Sequence, residues 1–463
     1  MKLIGTGVSF SSATSGGVQH VYLLLLLLHT LAASFIWGIN TLFLLDAGLS
    51  NAQAFSANAF FTAGMMLFEV PTGVVADTRG RRLSYLLGTF TLTVSTLAYL
   101  GMWYVSAPFW AWALGSLVLG LGFTFFSGAV QAWLTDALTS TGYFASGGKL
   151  ETVLAKGEIV EGAAMLGGSV AGGLIAQATN LGVPYLLRTL ALILSFALAY
   201  VLMRDIGFAP ARDKRLMDEV RSILHTSIAH GLGNPPVRWI MLEAPFTGGV
   251  TMYAFYAMQP YLLELWGNQR AFAIAGLAAA IVAGAQIAGG LLVPRLGRVL
   301  RRRTSILLAG VGLGTAALAL IGLVPNFWTA IVLLVVWGLV FAAMTPVRQA
   351  YLNALIESRA RATVLSFDSL LGSSGAVVAQ PILGRTADVW GYPLSYVCSA
   401  GIQVLSVPFL WLARREAADA DVTDARVCER DGRYAAAYRK LDEAECSSRA
   451  QRLRAARRPR FRG

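Results

Sequence analysis

Charge is scarce in this chain: Asp, Glu, Lys and Arg make up 13% of its 463 residues, against 56% hydrophobic. A soluble domain of that length needs far more charge to cover its surface, so the shortage excludes that class and points to a polytopic membrane protein. Cysteine is nearly absent: Cys398, Cys428 and Cys446 include no close pair, and no structural disulfide is expected. The four histidines, His20, His29, His225 and His230, have no cysteine or carboxylate grouping around them, which argues against an intramembrane metalloenzyme. Gly-x-x-x-x-Gly-Lys-Ser/Thr does not occur, so ATP is not the energy source, and neither cofactor nor metal is expected.

Long apolar runs are what the chain has instead. About 20 apolar residues cross the hydrocarbon as a helix, and such runs predict twelve spans, the first near 21–45 and the last near 391–413. The N-terminus imitates a secretory signal, with Lys2 ahead of Leu23–Leu28, but its apolar stretch continues through Leu45 and reads as the first span. The net charge of +12 would suit nucleic acid, yet all but three of the 37 Lys and Arg (Arg188, Arg270 and Arg385) fall on one side of this topology. That asymmetry is the positive-inside pattern; it places both termini in the cytoplasm, in a bacterial plasma membrane, and removes the case for nucleic acid. The expected organisation is a cytoplasmic segment 1–20, a six-helix bundle 21–204, a cytoplasmic linker 205–238, a second bundle 239–413 and a basic tail 414–463 read as disordered. Within the linker, Leu216, Val220, Ile223 and Leu224 would form the apolar face of an amphipathic helix on the inner leaflet.

The two bundles repeat one another. Gly120-Leu-Gly-Phe123 and Gln131-Ala-Trp-Leu134 return 218 positions later as Gly338-Leu-Val-Phe341 and Gln349-Ala-Tyr-Leu352. Gly73-Val-Val-Ala-Asp77-Thr-Arg-Gly80-Arg81-Arg82 returns, damaged, as Gly290-Leu-Leu-Val-Pro294-Arg-Leu-Gly297-Arg298. Membrane chains built from such repeats usually place a substrate at the seam between the halves.

The decapeptide from Gly73 to Arg82, its echo after the eighth span and the twelve-span count resemble the major facilitator superfamily. The resemblance covers about residues 20–413 and implies two pseudo-symmetric six-helix bundles, all α and integral to the membrane. It implies a monomeric secondary transporter, with Gly73, Asp77, Gly80, Arg81 and Asp136 as a gating cluster. In that cluster Asp77 holds the start of the eleventh span, near Arg361–Leu365, and Arg81 pairs with both Asp77 and Asp136. Gly73 would let another helix approach closely. Pro294 stands where the second copy needs its acid, so the second half lacks that latch. Gly167-Gly-Ser-Val-Ala-Gly172-Gly173 resembles the fifth-span motif of the family's proton-coupled antiporters, with Ser169 in place of the proline. The basic residue usual in the family's fourth span has no counterpart between Trp110 and Thr135.

An ion gradient as energy source requires a protonatable group inside the bundle, where an ionised acid costs roughly 2.5–3.5 kcal/mol. Glu69 and Asp368 are the deepest candidates, followed by Glu158 and Glu161, three apart on one helix face with Lys149 and Lys156 near by. In the resembled family the cavity lies among the first, fourth, seventh and tenth spans. Trp37, Asn40, Phe123, Phe126 and Gln131 are its candidates in the first half, and Tyr253, Tyr256, Gln259, Trp337 and Gln349 in the second. So aromatic a lining suits an amphipathic or cationic organic molecule better than a sugar. The leading expectation is proton-coupled efflux of drug-like molecules. Proton-coupled uptake of a metabolite and a transport-dead sensor signalling through the tail are the alternatives.

Overall fold

The computed structural model describes residues 14–210, 216–358 and 360–422. Its first half comprises α1 (Ser15–Trp37), α2 (Asn40–Asp46), α3 (Asn51–Arg79), α4 (Arg81–Tyr104), α5 (Phe109–Thr124), α6 (Ala129–Ser140), α7 (Leu150–Ala178) and α8 (Gly182–Leu202). The connecting helix α9 (Leu216–Ser227) precedes a π-helical turn, Ile228–Leu232. The second half comprises α10 (Pro235–Trp266), α11 (Phe272–Val299), α12 (Arg303–Leu323), α13 (Phe327–Leu355), α14 (Arg361–Val404) and α15 (Val407–Arg415). Helix is the expected answer in hydrocarbon, where every backbone polar group must find its partner within the chain.

Among the described residues, ten helical stretches are long and apolar enough to cross a membrane. Two of them are broken spans. Between α1 and α2 the chain bends at Gly38, where a Cβ would stand 2.9 Å from the Cα of Gly276. Between α5 and α6 it turns at Gly128, whose φ of 67° favours glycine. The stretch Thr363–Arg415 holds two spans, because α14 reverses at Gly391 (φ 82°). There Ser395 donates to the Leu383 carbonyl twelve residues earlier at 2.7 Å, a separation of about 18 Å along a straight helix. Counting these two limbs and the less apolar α10, the chain forms two bundles of six spans.

Within the first bundle α3 packs on α5, α1 on α7 and α4 on α8; within the second, α10 packs on α14 and α11 on α13. Two seams, α3–α14 and α7–α11, join the bundles. Glycine sets the closeness of the second seam: a Cβ on Gly276 would lie 2.5 Å from the Ser169 carbonyl and 2.9 Å from the Cα of Gly173. In lipid, where no hydrophobic force drives helices together, such backbone contact is a main source of association.

The connecting helix touches α3 and α14, so it lies against the seam. The tail expected from residue 414 begins with an ordered segment. Thr304 donates to Asp421 through its N–H (2.7 Å) and its hydroxyl (2.9 Å), so residues 419–421 cap the start of α12. Residues 423–463, with the Arg-rich end, lie outside the described residues.

Candidate functional site

The seam is closed at one end and parted at the other. At the closed end the carboxylate of Asp388 accepts from the backbone N–H groups of Asn51 (2.8 Å) and Ala52 (2.9 Å), the first residues of α3. An acid from one bundle thus caps a helix of the other, where unpaired N–H groups and the helix dipole both favour negative charge. The Tyr392 hydroxyl donates to the Asn51 side chain alongside. Gln259 completes the closure by accepting from the Thr41 N–H (2.9 Å) and donating to the Trp37 carbonyl (2.9 Å) across the break in the first span.

At the opposite end a cavity of about 480 Å³ separates α3 from α14, with Glu69, Gly73 and Asp77 on one wall and Ser366 and Ser369 on the other. Ile223 of the connecting helix also faces it. Arg81 donates to Asp77 at 2.5 Å, whereas among the described residues Asp136 makes no ion pair with Arg81. A Cβ at Gly73 would meet open space. The close approach expected there is absent because the helices are apart at this end. Gly80 has two reasons to be glycine: its φ is 113°, and the Asp205 carboxylate, which accepts from the Arg82 N–H at 2.8 Å, occupies the place of a Cβ.

A central cavity of about 450 Å³ lies between the bundles, within the range of small-molecule sites. Trp37, Asn40, Phe123, Tyr256 and Trp337 line it. Phe126 and Gln131 instead line a second cavity of about 340 Å³ within the first bundle, together with His29, Glu158 and Glu161. Neither Lys149 nor Lys156 forms an ion pair with these two acids among the described residues. Three more residues expected in the central cavity stand elsewhere. Tyr253 is fully buried in the second bundle, its hydroxyl 2.5 Å from Ser395. Gln259 is fully buried in the closure described above, and Gln349 is exposed on α13.

Arg188, expected on the outer side, lines the central cavity and is only 2% exposed. Its Nε donates to Thr96 (3.0 Å) and its Nη1 to the Ala32 carbonyl (3.1 Å), and its guanidinium lies 5.7 Å from the Phe123 ring centre.

The candidate acids divide. Glu69 accepts from the Ser127 hydroxyl at 2.5 Å and faces the open end. Asp368 is ion-paired with Arg348, whose Nη2 donates to it at 2.7 Å. The same guanidinium donates through Nε to Glu243 at 3.3 Å and through Nη2 to the Ile240 carbonyl at 2.9 Å. Two carboxylates from α10 and α14 therefore share one arginine from α13, and a net negative charge remains when both are ionised. A cavity of about 60 Å³ lies against Glu243 and Arg348 and shares Thr251, Trp337 and Phe341 with the central cavity.

The sequence profile of the Major Facilitator Superfamily matches residues 22–320 and 246–460. This chain belongs to that superfamily. Solved structures agree on the fold of this facilitator. Nucleoside transporter NupG is 12% identical over 86% of this chain and 99% of its own, with a TM-score of 0.68. A bacterial homolog of the human lysosomal transporter Spinster, solved inward-facing and unoccupied, is 15% identical over 88% and 98%, with a TM-score of 0.67. The human organic anion transporter MFSD10 is 16% identical over 85% and 98%, with a TM-score of 0.55. No curated protein matches the sequence. The facilitator is a transporter and not an enzyme.

Glu243, Arg348 and Asp388 each fall near the end of an expected span, where charge reads as interfacial anchoring and carries no sign of a partner. Three of the four fifth-span glycines of this facilitator are accounted for by packing: Gly168 meets Ser34, Gly172 meets the Phe35 backbone and Gly173 meets Gly276, whereas a Cβ at Gly167 would meet open space.

Proposed function

We propose that this facilitator is a proton-coupled secondary transporter that exports small amphipathic molecules by alternating access, from an inner side at the Asp77 end. The observation that carries the reading is the shared guanidinium. Glu243 and Asp368 compete for Arg348 inside the membrane, where an unbalanced negative charge is costly, so a proton is the cheapest way to neutralise the cluster. Its contact with residues of the central cavity gives protonation a route to substrate affinity. Glu69 at the open end is the second proton candidate, placed to exchange with the inner solution.

The orientation rests on the basic residues around Asp77, Arg79, Arg81, Arg82 and the Arg301–Arg303 run, which belong on the cytoplasmic side of a bacterial plasma membrane. Export is the direction in which energy matters for amphipathic cargo, since an apolar body assists its own entry through lipid. In the outward-open state the Asp77–Arg81 pair would close on the start of α14, and Asp136 would join it. The unit is the single chain, because both walls of the cavity come from one polypeptide.

The test is purified protein in liposomes with an internal pH dye and a panel of amphipathic compounds. Compound-triggered proton flux in the wild type, lost in Glu243→Gln and Asp368→Asn but kept in Glu158→Gln, is the expected result. Flux that persists in both of the first two variants and disappears in Glu69→Gln moves the proton site to α3. Compound transport without any proton movement sinks proton coupling.

A further inference from the structure

Arg188 is a cation inside the membrane that the fold does not neutralise. Among the described residues no carboxylate pairs with it, and its Nη2 has no hydrogen-bond partner. Arg348, the part-buried guanidinium of the second bundle, is given two acids. The walls around Arg188 do the reverse. Among the residues lining the central cavity, Arg188 alone is charged. Asn58 presents a second unused donor: its Oδ1 accepts from Asn40 at 2.9 Å, Asn40 in turn accepts from Tyr185 at 3.0 Å, and its Nδ2 is left without a partner. Aromatic surfaces complete the space, with Trp37 stacked on Phe255 at 4.4 Å and Trp337 on Phe341 at 6.1 Å.

We propose that the cavity selects an amphipathic organic anion, a carboxylate or sulfonate on an aromatic or branched apolar body, whose charge is received by Arg188 Nη2 and Asn58 Nδ2. This rests on reading the central cavity as the substrate site, and it reverses the cationic cargo that the aromatic residues alone suggested. A buried guanidinium repels a cation in low dielectric and gains a charge-assisted bond from an anion. The Thr96 and Ala32 contacts hold the guanidinium plane in place before substrate arrives, so little ordering is needed on binding. Bringing the anion in also removes the charge imbalance of the empty bundle, which gives substrate a reason to bind in the membrane interior at all.

Three probes with one body separate the possibilities: 4-butylbenzenesulfonate, 4-butylbenzyl alcohol and 4-butylbenzyltrimethylammonium. Binding is read by tryptophan fluorescence of the full chain in nanodiscs, and movement by flux from proteoliposomes. The sulfonate should bind best and the ammonium worst. Arg188→Gln, which keeps a donor for Thr96, should weaken the sulfonate at least about tenfold, the loss expected for one charge-assisted hydrogen bond. The same variant should weaken the alcohol far less than the sulfonate, since it loses a neutral hydrogen bond and not a charge-assisted one, and an unchanged thermal unfolding temperature shows that the fold is intact. Arg188→Lys should restore part of the preference for the anion. Equal binding of sulfonate and alcohol, or sulfonate binding indifferent to Arg188→Gln, overturns the proposal. Transport of the ammonium in preference to the sulfonate overturns the anion while leaving the cavity as the substrate site. If no probe binds or moves in folded wild-type protein, the cavity reading falls and the anion falls with it.

Discussion

Arg348 joins three helices of the second bundle through one side chain. It ties α10, α13 and α14 together, and it balances two acids that hydrocarbon would otherwise reject. Removing it strands both carboxylates, a loss of about 3–5 kcal/mol for a broken buried pair. Arg348→Met is therefore expected to lower the thermal unfolding temperature sharply in nanodiscs, and to recover most of it when Glu243→Gln and Asp368→Asn are added. A triple variant no more stable than Arg348→Met alone would show that the arginine acts through packing instead of charge. The contrast with Arg188 sharpens the point. Arg348 is held inside the second bundle by two acids, while Arg188, packed on helices of the first, has no acid paired with it among the described residues, so the two do not share a role. The sequence showed each arginine but not its partners. Glu243 is 105 positions from Arg348, and Thr96 is 92 from Arg188.

At the scale of the helix, what the sequence discloses is span membership, and what it hides is rotation. Apolar runs located the crossings because hydrocarbon demands about 20 such residues whichever way the helix faces. In a helix apolar all round, periodicity has no contrast left to mark the inner face. Tyr253 and Tyr256 illustrate the limit: they are roughly 60° apart around α10, and that angle turns one into the second bundle and the other into the central cavity. Gln259 was misplaced for a related reason, since a polar residue in a span is as well explained by a break in a neighbouring helix as by a ligand. Glycines are easier to interpret once partners are known. Gly276 has backbone against it from α7, so Gly276→Val is expected to push α11 off α7. Cross-linking of paired cysteines at Gln177 and Ala273, which bond across this seam at 3.1 Å, should then fall well below the otherwise wild-type pair. Undiminished cross-linking would mean that the seam has slack the distances do not suggest.

For the whole molecule, the two ends of the α3–α14 seam behave as opposites. The end marked by Asp77 was visible in the sequence because it sits in a decapeptide with a repeat. The end marked by Asp388 was not, because its partners Asn51 and Ala52 lie 337 and 336 positions away and carry no motif. Yet it is Asp388 that holds a facing helix in this structure, and it does so as Asp77 would in the opposite state, by capping the first turn of a helix in the other bundle. A rocking transporter needs such a contact on each side, each lost as the other forms, and the difference between the two sets the resting population. Asp388→Asn keeps a side-chain acceptor but removes the charge that suits the helix dipole, a change of about 0.3–1 kcal/mol and up to ~2 kcal/mol when partly buried. It should move the balance toward the state open at the Asn51 end by a factor of about two to thirty. Spin labels at Gln53 and Trp390, both close to that end, should report a longer distance component that grows in Asp388→Asn and shrinks in Asp77→Asn, since the second substitution weakens the opposing latch. If Asp388→Asn leaves the distance distribution unchanged while Asp77→Asn shifts it, the control of access lies at one end only, and the symmetry of the two latches is geometric without being functional.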